Sequence, residues 1–125
     1  GLSGDITASY VQNSRVMAGG NIYIKGPGSY NSFFKAGGDV EISGILRGGE
    51  IISRGNVILG EAGSPQVISK QGLVKVPSKS IIQMQKVFEN FEVHVGKKVY
   101  RFIENMTRVK ISYDKESDSI KVSHF

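Results

Sequence analysis

The sequence predicts an all-β chain: a short, right-handed parallel β-helix (a solenoid) followed by a small C-terminal antiparallel β segment. Three observations lead there. A glycine-started unit recurs at Gly4-Asp5-Ile6, Gly20-Asn21-Ile22, Gly38-Asp39-Val40 and Gly55-Asn56-Val57, at separations of 16, 18 and 17 residues. That period is too short for helix-pair repeats and too long for a hairpin, and it suits one coil of a solenoid. Two apolar columns run in phase with it, and the glycine period vanishes after Pro77.

Within each unit the first strand alternates. Ile6 and Ala8, Ile22 and Ile24, Val40 and Ile42, and Val57 and Leu59 fall two apart and share an inward face. Thr7, Tyr23, Glu41 and Ile58 then point outward. A second inward column follows at Val16, Phe34 and Ile51, with small residues two positions later at Ala18, Ala36 and Ser53. Turn formers separate the strands at Asn13-Ser14, Asn31-Ser32 and Gly48-Gly49. An extra loop at Gly26-Pro27-Gly28 accounts for the longer second coil. The corner glycine is expected to adopt positive φ as the chain turns.

The residue after each corner glycine reads Asp5, Asn21, Asp39, Asn56. Stacked coils would set these about 4.8 Å apart. Four aspartates in one column would repel, so alternation with asparagine, whose side chains can hydrogen-bond along a ladder, fits in-register stacking.

The stack is expected to close after Gly60, with Val67-Ile68-Ser69 opening one last, looser coil. The expected division is residues 1–76 as a solenoid of four to five coils and residues 77–125 as the antiparallel segment. Ser80 to Phe88 fits neither the helical nor the strand period cleanly. Phe91, Val93 and Val95 alternate, Gly96-Lys97 turns the chain, and Val99 to Ile103 return as a hairpin. Val109, Ile111 and Tyr113 make a third strand. Asp114 to Asp118 form a polar turn, and Ile120 and Val122 a fourth strand. This segment is expected to cover one end or side of the solenoid and to offer Tyr23, Phe33, Ile52 and Ile58 a burial partner.

Composition narrows the function classes. With no cysteine among 125 residues, disulfides and thiolate metal sites are excluded. There is no long apolar run, so no membrane insertion is expected. The chain starts with Gly1 rather than Met, which suggests a fragment or a tag scar. The net charge of +5 is spread along the chain, with Lys97-Lys98 its longest basic run, and reads as a solvated surface with no nucleic-acid partner.

A search for chemistry yields little. His94 and His124 fall on predicted strands, with no carboxylate or second histidine at ligand spacing. No nucleophile elbow, phosphate loop or zinc-protease motif is present. A polysaccharide-active β-helix enzyme is the main catalytic alternative. It would need paired carboxylates, and Asp39 and Glu41, with Glu50 nearby, are the candidates. Neither a metal nor a cofactor is expected.

The stretch from Ser32 to Ser64 resembles the flagellar assembly protein A (FapA) family in its β-helical region. The residues that carry this are Ala36-Gly37-Gly38-Asp39-Val40, Gly48-Gly49-Glu50-Ile51 and Gly63-Ser64, with Ala18-Gly19-Gly20-Asn21-Ile22 agreeing. The family's long helical hairpin and its Pro-Gly return are missing, Val87-Phe88-Glu89-Asn90-Phe91 standing in the latter's place. Bactofilin-like polymer-forming β-helices are a neighbouring resemblance. The resemblance implies a non-catalytic, cytoplasmic bacterial scaffold or regulator in flagellar assembly or cell-pole organisation, acting through protein partners or as a homo-oligomer. Two surfaces are candidates for that contact: the first coil near Gly1 to Ala8, and the outward apolar residues Tyr23, Phe33, Ile52 and Ile58.

Overall fold

A computed structural model describes residues 4–66 and 70–125. The expected coil start at Val67-Ile68-Ser69 therefore lies outside the described residues. Thirteen strands and no helix are present among the described residues, in two sheets. Sheet A takes β1 (Ile6–Gln12), β3 (Ile22–Tyr30), β5 (Val40–Arg47), β7 (Val57–Ala62), β9 (Ile82–Val87), β12 (Met106–Asp114) and β13 (Ser119–His124), in that order. Sheet B runs β2 (Arg15–Ala18), β4 (Phe33–Ala36), β6 (Glu50–Ser53), β8 (Leu73–Val76), β10 (Glu92–Val95) and β11 (Lys98–Arg101). Each coil gives one strand to each sheet, and successive coils pair in parallel. The predicted parallel β-solenoid with a C-terminal antiparallel segment is the observed fold.

Side-chain alternation builds the bore. Ile6, Ile22, Val40, Val57 and Ile82 are in register, as are Ala8, Ile24, Ile42, Leu59 and Met84. Facing them from sheet B stand Val16, Phe34, Ile51, Val74 and Val93. From the second coil inward these side chains are essentially sealed from solvent, whereas Ile6, Ala8 and Val16 of the first coil are half-buried. The small residues Ala18, Ala36 and Ser53 also stack in register as expected, and Ser53 spends its hydroxyl on Gly38 O at 2.7 Å.

The unequal coil lengths are resolved at a single corner. Between Ala8 and Tyr10, Ile24 and Gly28, and Ile42 and Ile45 the register shifts by different amounts. From Tyr10 to Gly20, Gly28 to Gly38 and Ile45 to Gly55 the spacing is again identical.

Two expectations are corrected. The solenoid does not stop near Gly60 or residue 76: β9 lies parallel to β7 and β10 parallel to β8, so the coils continue to Val95. Residues 80–88 thus contain strand β9, and Ser80-Ile81-Ile82 stands where Gly-Asx-aliphatic stands in earlier coils. With neither glycine nor Asx, and with residues 63–72 inserted before it, this coil carries no visible period. Only β11, β12 and β13 are antiparallel. These strands extend the two sheets edge to edge past the last coil and do not lie over a face. Tyr23, Phe33, Ile52 and Ile58 are therefore not covered in the way the sequence suggested. The cap is tied across both sheets where Lys98 of β11 meets Asp118 at 3.3 Å, and Asp118 accepts a 2.6 Å bond from Tyr113.

The corner glycines also differ from expectation. None of Gly20, Gly38 and Gly55 has positive φ; those conformations fall instead at Asn13, Asn31, Gly48 and Gly49, between the sheets. The corner glycines are needed for space, as a Cβ on each would fall onto the Oδ1 of Asp5, Asn21 and Asp39 respectively. Those oxygens form a ladder. Asp5 Oδ1 accepts from Asn21 N, Asn21 Oδ1 from Asp39 N, and Asp39 Oδ1 from Asn56 N, each at 2.7 Å, and Asn56 Oδ1 accepts from Ile81 N at 2.9 Å. The side chains bond to backbone of the next coil, not to one another. Asp and Asn serve equally because only a carbonyl-type oxygen is used.

Candidate interaction face

The four outward residues singled out from the sequence do not form one surface. Tyr23 and Ile58 sit on the outer face of sheet A, in the column Thr7, Tyr23, Glu41, Ile58, Gln83. Phe33 and Ile52 sit on the outer face of sheet B. Ile58 is 44% exposed and the other three are half-buried. Of the first coil, residues 1–3 lie outside the description; β1 and β2 are the terminal strands of their sheets.

Sheet B holds the richer arrangement. Its strands are four residues long, so each presents two side chains outward. The register stacks them into two columns. One reads Arg15, Phe33, Glu50, Leu73, Glu92, Arg101. The other reads Met17, Lys35, Ile52, Lys75, His94, Val99. In-register pairing, parallel up to β10 and antiparallel at β11, thus brings residues 86 positions apart in sequence onto one face. Met17 and Val99, at 50% and 56% exposure, are among the most exposed large apolar side chains, and the sequence reading passed over both. Their signal was available: Met17 lies between inward Val16 and Ala18, and Val99 alternates with Tyr100.

A groove of about 800 Å³ follows the first column, its floor formed by Ser14, Ser32, Gly49 and Gly72 at the turns. A smaller hollow of about 460 Å³ lies beyond the second column, beside Met17, Lys35, Ile52 and Arg54. Arg15 stacks on the Phe33 ring with its Cζ 5.0 Å from the centroid, a cation–π contact that fixes both side chains across adjacent coils.

Charges on the face are mutually arranged. Lys75 Nζ lies 3.9 Å from Glu50. Glu92 meets His94 Nε2 at 2.8 Å and Arg101 at 3.3 Å. The His94 hydrogen bond, helped by Arg101 and opposed by partial burial, holds the Glu92 carboxyl below its ordinary range. This corrects the reading of His94 as lacking a carboxylate neighbour, since residues two apart on a strand point the same way. His124 instead meets the Thr107 carbonyl through Nδ1 at 3.0 Å.

The carboxylates considered for catalysis take different positions in the fold. Asp39 is a rung of the backbone ladder, Glu41 stands on the outer face of sheet A, and Glu50 stands on sheet B. Among the described residues, no group of three or more His, Asp or Glu is placed to hold a metal ion, and no helix is long and apolar enough to cross a membrane.

Comparison of the chain with protein-family models, with curated proteins and with solved structures finds no match in any of the three.

Proposed function

We propose that this chain is a non-catalytic bacterial scaffold that holds a protein partner on the outer face of sheet B. One observation carries the reading: six hydrogen-bonded strands set apolar and charged side chains together on one face, fixed by backbone pairing on a largely sealed core. Apolar rungs supply burial, charged rungs supply specificity, and a rigid face loses little entropy on docking. A cytoplasmic setting in flagellar assembly or cell-pole organisation is the part of the proposal that rests on the FapA-like motif alone.

The test is genetic complementation. A strain lacking the gene should lose normal motility, flagellar number or cell shape, and the wild-type gene should restore it. A folded Phe33→Asp/Ile52→Asp protein should fail to do so. Full restoration by the double variant would overturn the reading of the face, and an unchanged deletion strain would remove the flagellar and cell-pole setting.

A further inference from the structure

The two outward columns of sheet B differ in chemistry. Both carboxylates, Glu50 and Glu92, stand in the first column. The ammonium groups of Lys35 and Lys75, and His94, all stand in the second. We propose that the occupant of this face is a second copy of the chain, packed face to face with the two protomers related by a twofold axis parallel to the solenoid axis. This rests on the reading of sheet B as a protein-docking face, and it specifies the partner.

Such a twofold sets each coil against the same coil of the other copy and lays the first column on the second. Glu50 then faces Ile52 of the other copy and lies between the other copy's Lys35 and Lys75, about 4.8 Å to either side along the stack. Glu92 faces His94, next to Lys75. Phe33 faces Lys35 between Met17 and Ile52, so its ring meets an ammonium and is flanked by apolar side chains. Leu73 lies beside Ile52. At the two ends Arg15 and Arg101 face Met17 and Val99, one strand along from Lys35 and His94, and no like charges stand directly opposite one another. The other twofold that keeps the strands of the two copies aligned runs along the strands. It would oppose Arg15 to Arg101, Phe33 to Glu92, Glu50 to Leu73 and Lys35 to His94. The column chemistry therefore selects one axis, as expected of an isologous, self-complementary surface.

The size of the face sets the strength. Six strands of four residues give a patch of roughly 24 Å by 13 Å, about 300 Å² before the rims are counted. Counted on both copies that is roughly 600 Å², below the roughly 1,000 Å² of a stable interface, so a weak, concentration-dependent dimer is expected, not a permanent one.

Sedimentation equilibrium of the full chain over a wide concentration range should show monomer converting to a species of twice the mass. Phe33→Lys should weaken this about tenfold or more, while Tyr23→Lys, on the opposite sheet, should leave it unchanged. A chain carrying Glu50→Lys and Glu92→Lys, and another carrying Lys35→Glu and Lys75→Glu, should each be monomeric alone and form a 1:1 pair when mixed. The absence of native cysteine makes the axis directly testable. Under a short bis-maleimide, Arg15→Cys protein should cross-link to Met17→Cys protein and not to Arg101→Cys protein. A wild-type chain that stays monomeric throughout, or cross-linking of positions 15 and 101, would overturn the proposal. Should the wild type be monomeric while the face variants still fail in complementation, the docking reading survives and the occupant is a different protein.

Discussion

Asn21 Oδ1 fills the space that a Cβ on Gly38 would need, while accepting a 2.7 Å hydrogen bond from the backbone N–H of Asp39. One atom thus explains both the glycine and the Asx in the repeat. Gly38→Ala should destabilise the chain by about 1–3 kcal/mol, because the methyl must displace that oxygen and its bond. Asn21→Ala alone should cost about 1 kcal/mol. The two changes together should cost less than their sum, since truncating Asn21 vacates the space. Urea denaturation of the four members of the cycle measures this, and additive effects would show that the glycine serves some other purpose.

At the ladder positions, acceptor geometry matters and charge does not. Asp39→Asn keeps the Oδ1 that receives the Asn56 N–H and should leave the melting temperature within about a degree or two. Asp39→Leu removes the acceptor and should lower stability by about 1 kcal/mol. Equal losses in the two variants would show that the carboxylate charge is what counts.

Val40→Asp should unfold the domain. Val40 has no exposed surface and stacks between Ile22 and Val57 in the bore, where a carboxylate would find neither water nor a partner. Circular dichroism and a thermal melt report the outcome. A soluble variant with an unchanged melting temperature would be incompatible with the bore as described.

Among the described residues Gln71 is the one buried amide, and it bonds Ser64 and Gln66, which follow β7. Its Oε1 accepts from Ser64 N at 2.9 Å, and its Nε2 donates to the carbonyls of Ser64 at 2.7 Å and Gln66 at 3.1 Å. Gln71→Ala should cost about 2–3 kcal/mol. Gln71→Glu should be worse, because a carboxylate would face two carbonyl oxygens. Urea midpoints for both variants check the order.

The lowered pKa of Glu92 has a defined sign. Its causes are the His94 hydrogen bond first and Arg101 second, working against burial. A depressed carboxylate contributes stability above its unfolded pKa, near the ordinary 4.5, and loses it as pH falls through the lower folded value. The stability difference between wild type and Glu92→Gln should therefore shrink on acidification below about pH 4.5. A difference that does not change down to about pH 3 would remove Glu92 as its source.

How much of this was legible depended on whether a residue's identity was set by its own coil. The corner glycines, the Asx column and the inward Ile and Val residues repeat because every coil meets the same neighbours above and below. The repeat therefore gave away the first four coils. The fifth was hidden: Ile81 replaces Asx where no sixth coil needs the acceptor, receiving the last ladder bond and passing none on, and Ser80 stands in place of the glycine, a substitution that nothing in the structure explains. Phe33 and Ile52 were legible as outward residues, but their separation from Tyr23 and Ile58 was not. Which sheet a strand joins is decided by the coil's bend, which a two-residue period does not encode. The two columns of sheet B could not be read without knowing that the insertion at residues 63–72 restores register between Glu50 and Leu73.

The corner at which the register shifts gives the molecule an expansion joint. Coils of 16, 18 and 17 residues differ only between Ala8 and Tyr10, Ile24 and Gly28, and Ile42 and Ile45. The extra residues are taken up as irregularities inside β1, β3 and β5, and the pairing on either side of them and the ladder stay in register. One residue added between Asn31 and Phe33 would instead turn Phe34 out of the bore and Phe33 and Lys35 into it. Length can thus vary, or a foreign loop be grafted, at one place along sheet A while the pairing on either side keeps its register.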